Sequence, residues 1–345
     1  MKVGIITITD NNNYGNRLQN YALEKVLFDM NVDVKTIWDK KYAKKTQKAK
    51  KIIKGVFFSN KYPSLKRMKN FEEFSKNFTN IYYHGYNEEL NDMFDTFIVG
   101  SDQVFTKSHL NKVKFLSEAE TNKGIAFSPS FGKSYLEDDE KIFFKKLLPR
   151  FKKISVREEA GKDIINNLYS DLDVKVLIDP TMLLKSEDWT KIMRRPKKMK
   201  SDKFILNYFL GKLSDDRNSE IERIARENNC DIINILDKKS PFYNCGPREF
   251  LWLEKNAFLI CTDSFHSSVF SIIFKRPFII FNREQNNMIN MNSRLETLIK
   301  KFDLKDRLFD KTIDSKNLNI DYSGVDEKLE FERKQAMDFL MDAMK

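Results

Sequence analysis

The stretch Ala257 to Arg276, AFLICTDSFHSSVFSIIFKR, constrains the fold more than any other in the chain. Its first six residues, Ala257 to Thr262, form an apolar run without alternation, as expected for a parallel strand covered on both faces. A short polar loop follows, and a helix opens at about Phe265. Asp263 and Ser264 are N-cap residue types, and Ser267 and Ser268 add hydroxyls to the first turn. His266, one of three histidines in the chain, lies in the same turn. A helix start has unpaired N–H groups and the positive end of the helix dipole, so it suits a phosphate or carboxylate. In a parallel α/β sheet, the loop after a strand's carboxyl end is also where ligands bind. An imidazole there points to acid–base chemistry on an anionic substrate. The alternative is a packed core histidine with ordinary caps.

The rest of the chain repeats strand, polar loop and helix. The first half reads as strands at Lys2 to Ile8, Val32 to Trp38, Thr96 to Val99, Lys123 to Phe127, Ile154 to Val156 and Val174 to Ile178. Helices are expected at Arg17 to Met30, Leu65 to Asn77, Asp138 to Leu148 and from Glu158. The first loop, Thr9 to Asn16 (TDNNNYGN), holds a single glycine and is no dinucleotide-binding fingerprint. Gly15 is expected in a backbone conformation that other residues avoid. The strand ends deliver Gly100-Ser101-Asp102-Gln103, Ser128-Pro129-Ser130-Phe131-Gly132, Arg157, and Asp179-Pro180-Thr181. Any one of these could be a turn. Together they suggest the lip of a cleft.

Residues 186–202 are charged and irregular and read as a linker. The alternation then resumes with strands at Phe204 to Leu210, Asp231 to Leu236 and Pro277 to Asn282, beside the central stretch. These patterns predict an α/β protein of two Rossmann-like domains with a cleft between them. The domains span 1–185 and 203–303, and a helical tail covers 304–345.

Composition narrows the function classes. With 345 residues, 41% hydrophobic and 32% charged, the chain is a globular protein of about two domains. Three cysteines without metal-ligand spacing imply a reducing cytoplasm, with neither a disulfide framework nor a metal site. No run reaches the ~18 apolar residues of a membrane span. Part of the +11 net charge gathers between Lys40 and Lys69. That segment is either a solvated face or a contact for an anionic membrane surface at the inner side of the cell membrane. Nucleic acid is excluded as a partner because no nucleic-acid-binding motif accompanies the charge.

Several motifs, in order, carry a resemblance: NYGNRLQNYAL, GSDQVF, AFSPSFG, ISVREEAG, VLIDPTMLL, GPREFLWLEKNAFLICTDSFHSSVFSIIFKRPFIIF and SRLETLIKKF. From residue 1 to about 303 the chain resembles the bacterial polysaccharide pyruvyl transferases. The resemblance implies a GT-B-type pair of Rossmann-like domains. It implies transfer of the enolpyruvyl unit of phosphoenolpyruvate to a sugar of a capsule, exopolysaccharide or cell-wall intermediate, often lipid-linked. The products are a pyruvate ketal and phosphate, and no cofactor or metal is needed. By the same resemblance His266 is the catalytic histidine and Arg157 a donor-binding residue, with Ser264, Phe265, Ser267 and Ser268 at the donor. Ser101, Asp102, Gln103, Ser130, Phe131 and Gly132 match segments lining the cleft, and Tyr14, Gly15 and Asn16 are expected on the acceptor side.

Two positions depart from the family pattern. Some members have an arginine where this chain has Ser264, and the commoner SFHG pattern has a glycine where this chain has Ser267.

The chemistry fits these residues. Arg157 offers a fork for a carboxylate or phosphate. A protonated His266 can supply the proton for the enol methylene carbon. Asp102 can orient the sugar or accept its hydroxyl proton. Simpler readings pair Arg157 with Glu158 or Glu159 at the surface, make Asp102 and Asp179 helix caps, and leave His84 and His109 as surface residues. Two other functions stay open: a glycosyltransferase-like enzyme using a nucleotide sugar, and a non-catalytic glycan- or lipid-binding relative.

Overall fold

A computed structural model describes residues 1–43, 64–118, 123–283, 293–314 and 318–345. The chain divides into two α/β units. One comprises Met1–Leu183 with Phe331–Lys345, and the other Leu184–Glu330.

The first unit is built on seven parallel strands: β1 (Lys2–Ile6), β2 (Asp33–Asp39), β3 (Ile81–His84), β4 (Thr96–Val99), β5 (Gly124–Ala126), β6 (Phe151–Val156) and β7 (Val174–Val176). Their order is β3-β2-β1-β4-β5-β6-β7. Register is fixed in the centre, where Val3 pairs with Val34 on one side and Thr96 on the other. β4 is buried at every position, which explains its unbroken apolar TFIV. Aromatic packing fills the layer beside it. Phe105, Phe131 and Phe144 are fully buried, with ring centroids 4.9 to 5.2 Å apart. The strand order reverses between β1 and β4, and ligands bind at such a switch point in doubly wound sheets.

The second unit has four parallel strands, β8 (Phe204–Tyr208), β9 (Asp231–Asn234), β10 (Leu259–Thr262) and β11 (Phe278–Ile280). They run in the order β11-β10-β8-β9, so this sheet reverses between β8 and β10. The helix Phe265–Ile273 after β10 is buried along all nine residues.

Three expectations change. The first helix begins at Tyr14, one residue after its N-cap Asn13. Gly15 is therefore helical, and the positive-φ glycines among the described residues are Gly100 and Gly132. Residues 186–202 are more than a linker. Ser186–Ile192 is a helix whose Trp189 is fully buried and meets Phe270 edge-on at 5.1 Å. The tail is divided between the units. The last helix, Ser323–Ala343, ends against the first unit, where Phe339 stacks on Phe127 at 6.1 Å and Asp342 pairs with Lys153 at 2.8 Å.

Candidate functional site

In the second unit, β10 ends at Thr262 and hands the chain to Asp263. The Asp263 carboxylate accepts the backbone N–H of Leu210 at 2.7 Å and of Gly211 at 2.8 Å. It thereby joins the loops after β8 and β10 across the switch point. The same carboxylate accepts Arg283 Nε at 2.9 Å, and both side chains are mostly buried. A Cβ added at Gly211 would lie 3.1 Å from the carboxylate, a tight contact. Ser264 is the N-cap residue by its backbone angles, with no side-chain cap bond. His266 follows as the second helical residue, 7% exposed, with the Phe265 ring edge-on at 5.3 Å.

The two first-turn hydroxyls expected to serve the donor point into the protein. Ser267 Oγ donates to Glu254 Oε1 at 2.6 Å, and Ser268 Oγ to the Ser264 carbonyl at 3.1 Å. Both serines are fully buried. Glu254 is also fully buried, and that desolvation holds its carboxyl well above the usual range while the Ser267 hydrogen bond pulls it back. A serine where the family pattern has glycine is thus matched by a buried carboxyl on the neighbouring helix, Pro247–Asn256.

In the first unit, β6 delivers Arg157 into a buried ion network. Its guanidinium donates to Asp179 at 2.8 Å and to Asp102 at 3.1 Å, with the arginine side chain 1% exposed. Burial alone would lower the arginine's pKa, but Asp102 and Asp179 overcome it and raise the value. Asp179 also accepts Ser101 Oγ at 2.9 Å and, through its other oxygen, the Thr181 hydroxyl and N–H. Asp102 (φ 63°) and Ser128 (φ 49°) both adopt the left-handed region, an uncommon conformation that surrounding structure must hold in place. The surface pairing of Arg157 with Glu158 or Glu159 is therefore corrected to a buried pairing with two aspartates. Glu158 instead accepts Ser130 Oγ at 2.8 Å and the Phe131 N–H at 3.1 Å. Gln103 is half-buried and packs so close to Gly132 (φ +66°) that a Cβ there would lie 2.2 Å from Gln103 Nε2.

Beside this network, at the β1/β4 switch point, lies a second polar group. Ser101 N–H donates to Gln19 Oε1 and Thr7 Oγ1 to the Ser101 carbonyl, both at 3.1 Å. Arg17, fully buried, donates to the Ile8 carbonyl and lies 5.0 Å over the Trp38 ring. Lys112 donates to the Thr7 carbonyl at 2.8 Å and Thr9 Oγ1 at 3.2 Å. Burial, reinforced by Arg17, pushes the Lys112 amine down to about 7. His109, read from sequence as a surface residue, is half-buried here, and its pKa is lowered by burial and by Lys112. His84 is half-buried too, 3.4 Å from Glu89. Tyr14 is fully buried, with its hydroxyl 2.7 Å from Arg67. Asn16, which donates through Nδ2 to Asp10 at 2.5 Å, stays at the switch point.

The structure therefore gathers Ser101, Asp102, Ser130 and Arg157 in the first unit and Ser264 to Ser268 in the second. Lys112, Arg17, Asp263's clamp and Arg283 did not emerge from the sequence as site residues. Arg283 follows a strand end, a usable signal, whereas Lys112 lies in KSHLNKVK, which has no periodicity. Among the described residues no group of three His, Cys, Asp or Glu is placed to hold a metal ion, and no helix is long and apolar enough to cross a membrane.

A family model described as polysaccharide pyruvyl transferase matches residues 13–285. No curated protein matches the sequence. Solved structures that align with it include the UDP-GlcNAc 2-epimerase of Methanocaldococcus jannaschii, at 18% identity. That alignment covers 96% of this chain and 93% of the other, with a TM-score of 0.46. The UDP-GlcNAc 2-epimerase of Neisseria meningitidis aligns at 12% identity over 97% and 94%, with a TM-score of 0.46. MurG of Acinetobacter baumannii aligns at 10% identity over 96% and 94%, with a TM-score of 0.44.

Proposed function

The chain belongs to the polysaccharide pyruvyl transferase family, and on that premise we propose that it transfers the pyruvyl unit of phosphoenolpyruvate to a sugar of a cell-surface glycan intermediate. The products are a pyruvate ketal and phosphate. The observation that carries the reading is the helix start at the β8/β10 switch point. It sets His266 in the first turn, and Arg283 stands beside Asp263. The first-turn N–H groups and the Arg283 cation suit a phosphate or carboxylate. His266 then acts as the acid that protonates the enol methylene carbon. Arg283 also answers the departure at Ser264, because it brings a guanidinium to the loop where the serine has no charge.

Arg157 is narrowed from a donor ligand to a positioning residue, since its guanidinium is held by Asp102 and Asp179. Contact with an anionic membrane face through Lys40 to Lys69 belongs to this reading as well. Residues 44–63, which hold most of those lysines, lie outside the described residues.

Thermal unfolding with phosphoenolpyruvate, beside a set of nucleotide sugars, tests the donor. Ligand that binds only the native state stabilises it by RT ln(1 + [L]/Kd), about 2.7 kcal/mol at a hundredfold excess over Kd. The expected result is stabilisation of the wild type and of His266→Ala by phosphoenolpyruvate, and its loss in Arg283→Gln. Stabilisation by a nucleotide sugar alone would overturn the reading in favour of glycosyl transfer.

A further inference from the structure

Within the second unit, Asp263 serves donors from two separate loops. Its Oδ1 accepts the Leu210 N–H and its Oδ2 the Gly211 N–H, both from the loop after β8. Oδ2 also accepts Arg283 Nε, and the Asp263 carbonyl lies 3.5 Å from Arg283 Nη2. Both contacts run along one edge of the arginine, the edge that carries Nε. A guanidinium is a rigid plane of five N–H donors, so a grip on that edge fixes the direction of all the others.

The two ends of this contact are themselves anchored. On one side, Thr262 Oγ1 donates to the Tyr208 carbonyl at 2.7 Å and accepts the Ser264 N–H at 3.0 Å. That ties the loop after β10 to the end of β8. On the other side, the Phe281 N–H donates to the Thr262 carbonyl at 2.8 Å, and Arg217 donates to the Asn282 carbonyl. The chain leaving β11 is therefore held just before Arg283 reaches back to Asp263. With side-chain exposures of 3% for Asp263 and 11% for Arg283, the pair is shielded from water, which strengthens a charge-assisted hydrogen bond.

We infer that Asp263 is a positioning residue for the donor, holding the Nε edge of Arg283 so that the guanidinium is presented in one direction at the start of the helix Phe265–Ile273. The inference rests on the pyruvyl-transfer reading, in which Arg283 takes an anionic group of phosphoenolpyruvate. It adds that the charge of Arg283 is not sufficient. A lysine has the charge but no Nε edge to hold, so it cannot take the arginine's place.

A carboxylate beside an anion-binding helix start would otherwise repel the ligand. The sign of its effect therefore separates two roles. If Asp263 only repels, neutralising it strengthens donor binding. If it positions Arg283, neutralising it weakens donor binding.

Isothermal titration of phosphoenolpyruvate into the full-length protein tests the role, using wild type, Asp263→Asn, Arg283→Lys and the double variant. Each single variant should weaken binding about tenfold or more, the range of one hydrogen bond to a charged group. The double variant should bind no more weakly than the poorer single one, because both remove the same contact. Arg283→Lys leaves Asp263 with both backbone N–H groups, so it decides the question even if Asp263→Asn does not fold. Tighter or unchanged binding in Asp263→Asn, wild-type affinity in Arg283→Lys, or losses that multiply in the double variant would overturn the inference and leave the donor assignment intact. A wild type that binds UDP-GlcNAc and not phosphoenolpyruvate would defeat the donor assignment instead. The same four proteins titrated with UDP-GlcNAc then judge Asp263 alone: non-additive losses uphold its role and additive ones overturn it. Binding of neither ligand would overturn both.

Discussion

Arg157, buried, and Lys112, half-buried, are both cations at the carboxyl edge of one parallel sheet, and the protein treats them in opposite ways. Arg157 has two carboxylates on its guanidinium, and those carboxylates are bonded in turn to Ser101 and Thr181. Lys112 has a carbonyl and a hydroxyl and, among the described residues, no carboxylate. The arginine's charge is secured, with its pKa raised, while the lysine's is undermined. A secured charge holds strand ends together. An undermined one is ready to exchange a proton. The family resemblance pointed to the arginine as a substrate ligand, and its guanidinium is bonded to two buried aspartates from the loops after β4 and β7.

That contrast is easiest to break at Arg157. Arg157→Met leaves Asp102 and Asp179 buried without their cation, and removing one member of such a group costs about 3–5 kcal/mol. Urea denaturation should show it as a midpoint shift at unchanged slope. A loss within the range of an exposed ion pair, about 1 kcal/mol, would mean the network is not structural and would return Arg157 to the donor. The second unit offers a smaller version of the same test. Asp263→Asn keeps one acceptor oxygen but sets an amide NH₂ against donors now served by a carboxylate. The cost should be about 1–3 kcal/mol, together with weakened response to phosphoenolpyruvate. Unchanged stability would show that the Leu210 and Gly211 N–H groups find other acceptors.

The two residues also differ in how legible they were. Alternating strands and helices were readable because a parallel sheet covered on both faces demands unbroken apolar runs such as TFIV and LICT, and these stand out against polar loops. The helix start at His266 was readable for the same reason. Sequence could not assign hydrogen-bond partners. Ser267 and Ser268 looked like ligand hydroxyls, but a buried helix has to satisfy its own polar groups, and Glu254, thirteen residues earlier, takes one of them. Arg157 was legible as a functional type but not as the partner of Asp102 and Asp179, which lie 55 and 22 residues away. Lys112 was invisible: its character comes from burial against Thr7 and Thr9, more than a hundred residues earlier. The helix at 186–192 was misread because its charged residues dominate the pattern and Trp189 and Ile192 alone are buried in it.

The smallest expected effect gives the finest test of the contrast. The Lys112 amine titrates at about 7 in the folded chain, against about 10.4 in an unfolded one. Between these values the unfolded chain binds more protons than the folded chain, so this residue makes stability rise with pH across that window. Below pH 7 the full penalty of charging a buried amine is present, and above about 10.4 it is gone. Lys112→Met removes the penalty and also two hydrogen bonds, leaving a net gain on the order of 1 kcal/mol at pH 6. That gain should shrink steadily above pH 7 and disappear, or turn into a small loss, by pH 10. Thermal unfolding of both proteins at several pH values reads the difference directly. A constant difference at every pH would mean that Lys112 stays charged in the folded state. A gain confined to low pH would show instead that the fold tolerates a destabilising amine at its switch point, which a purely structural lysine has no reason to be.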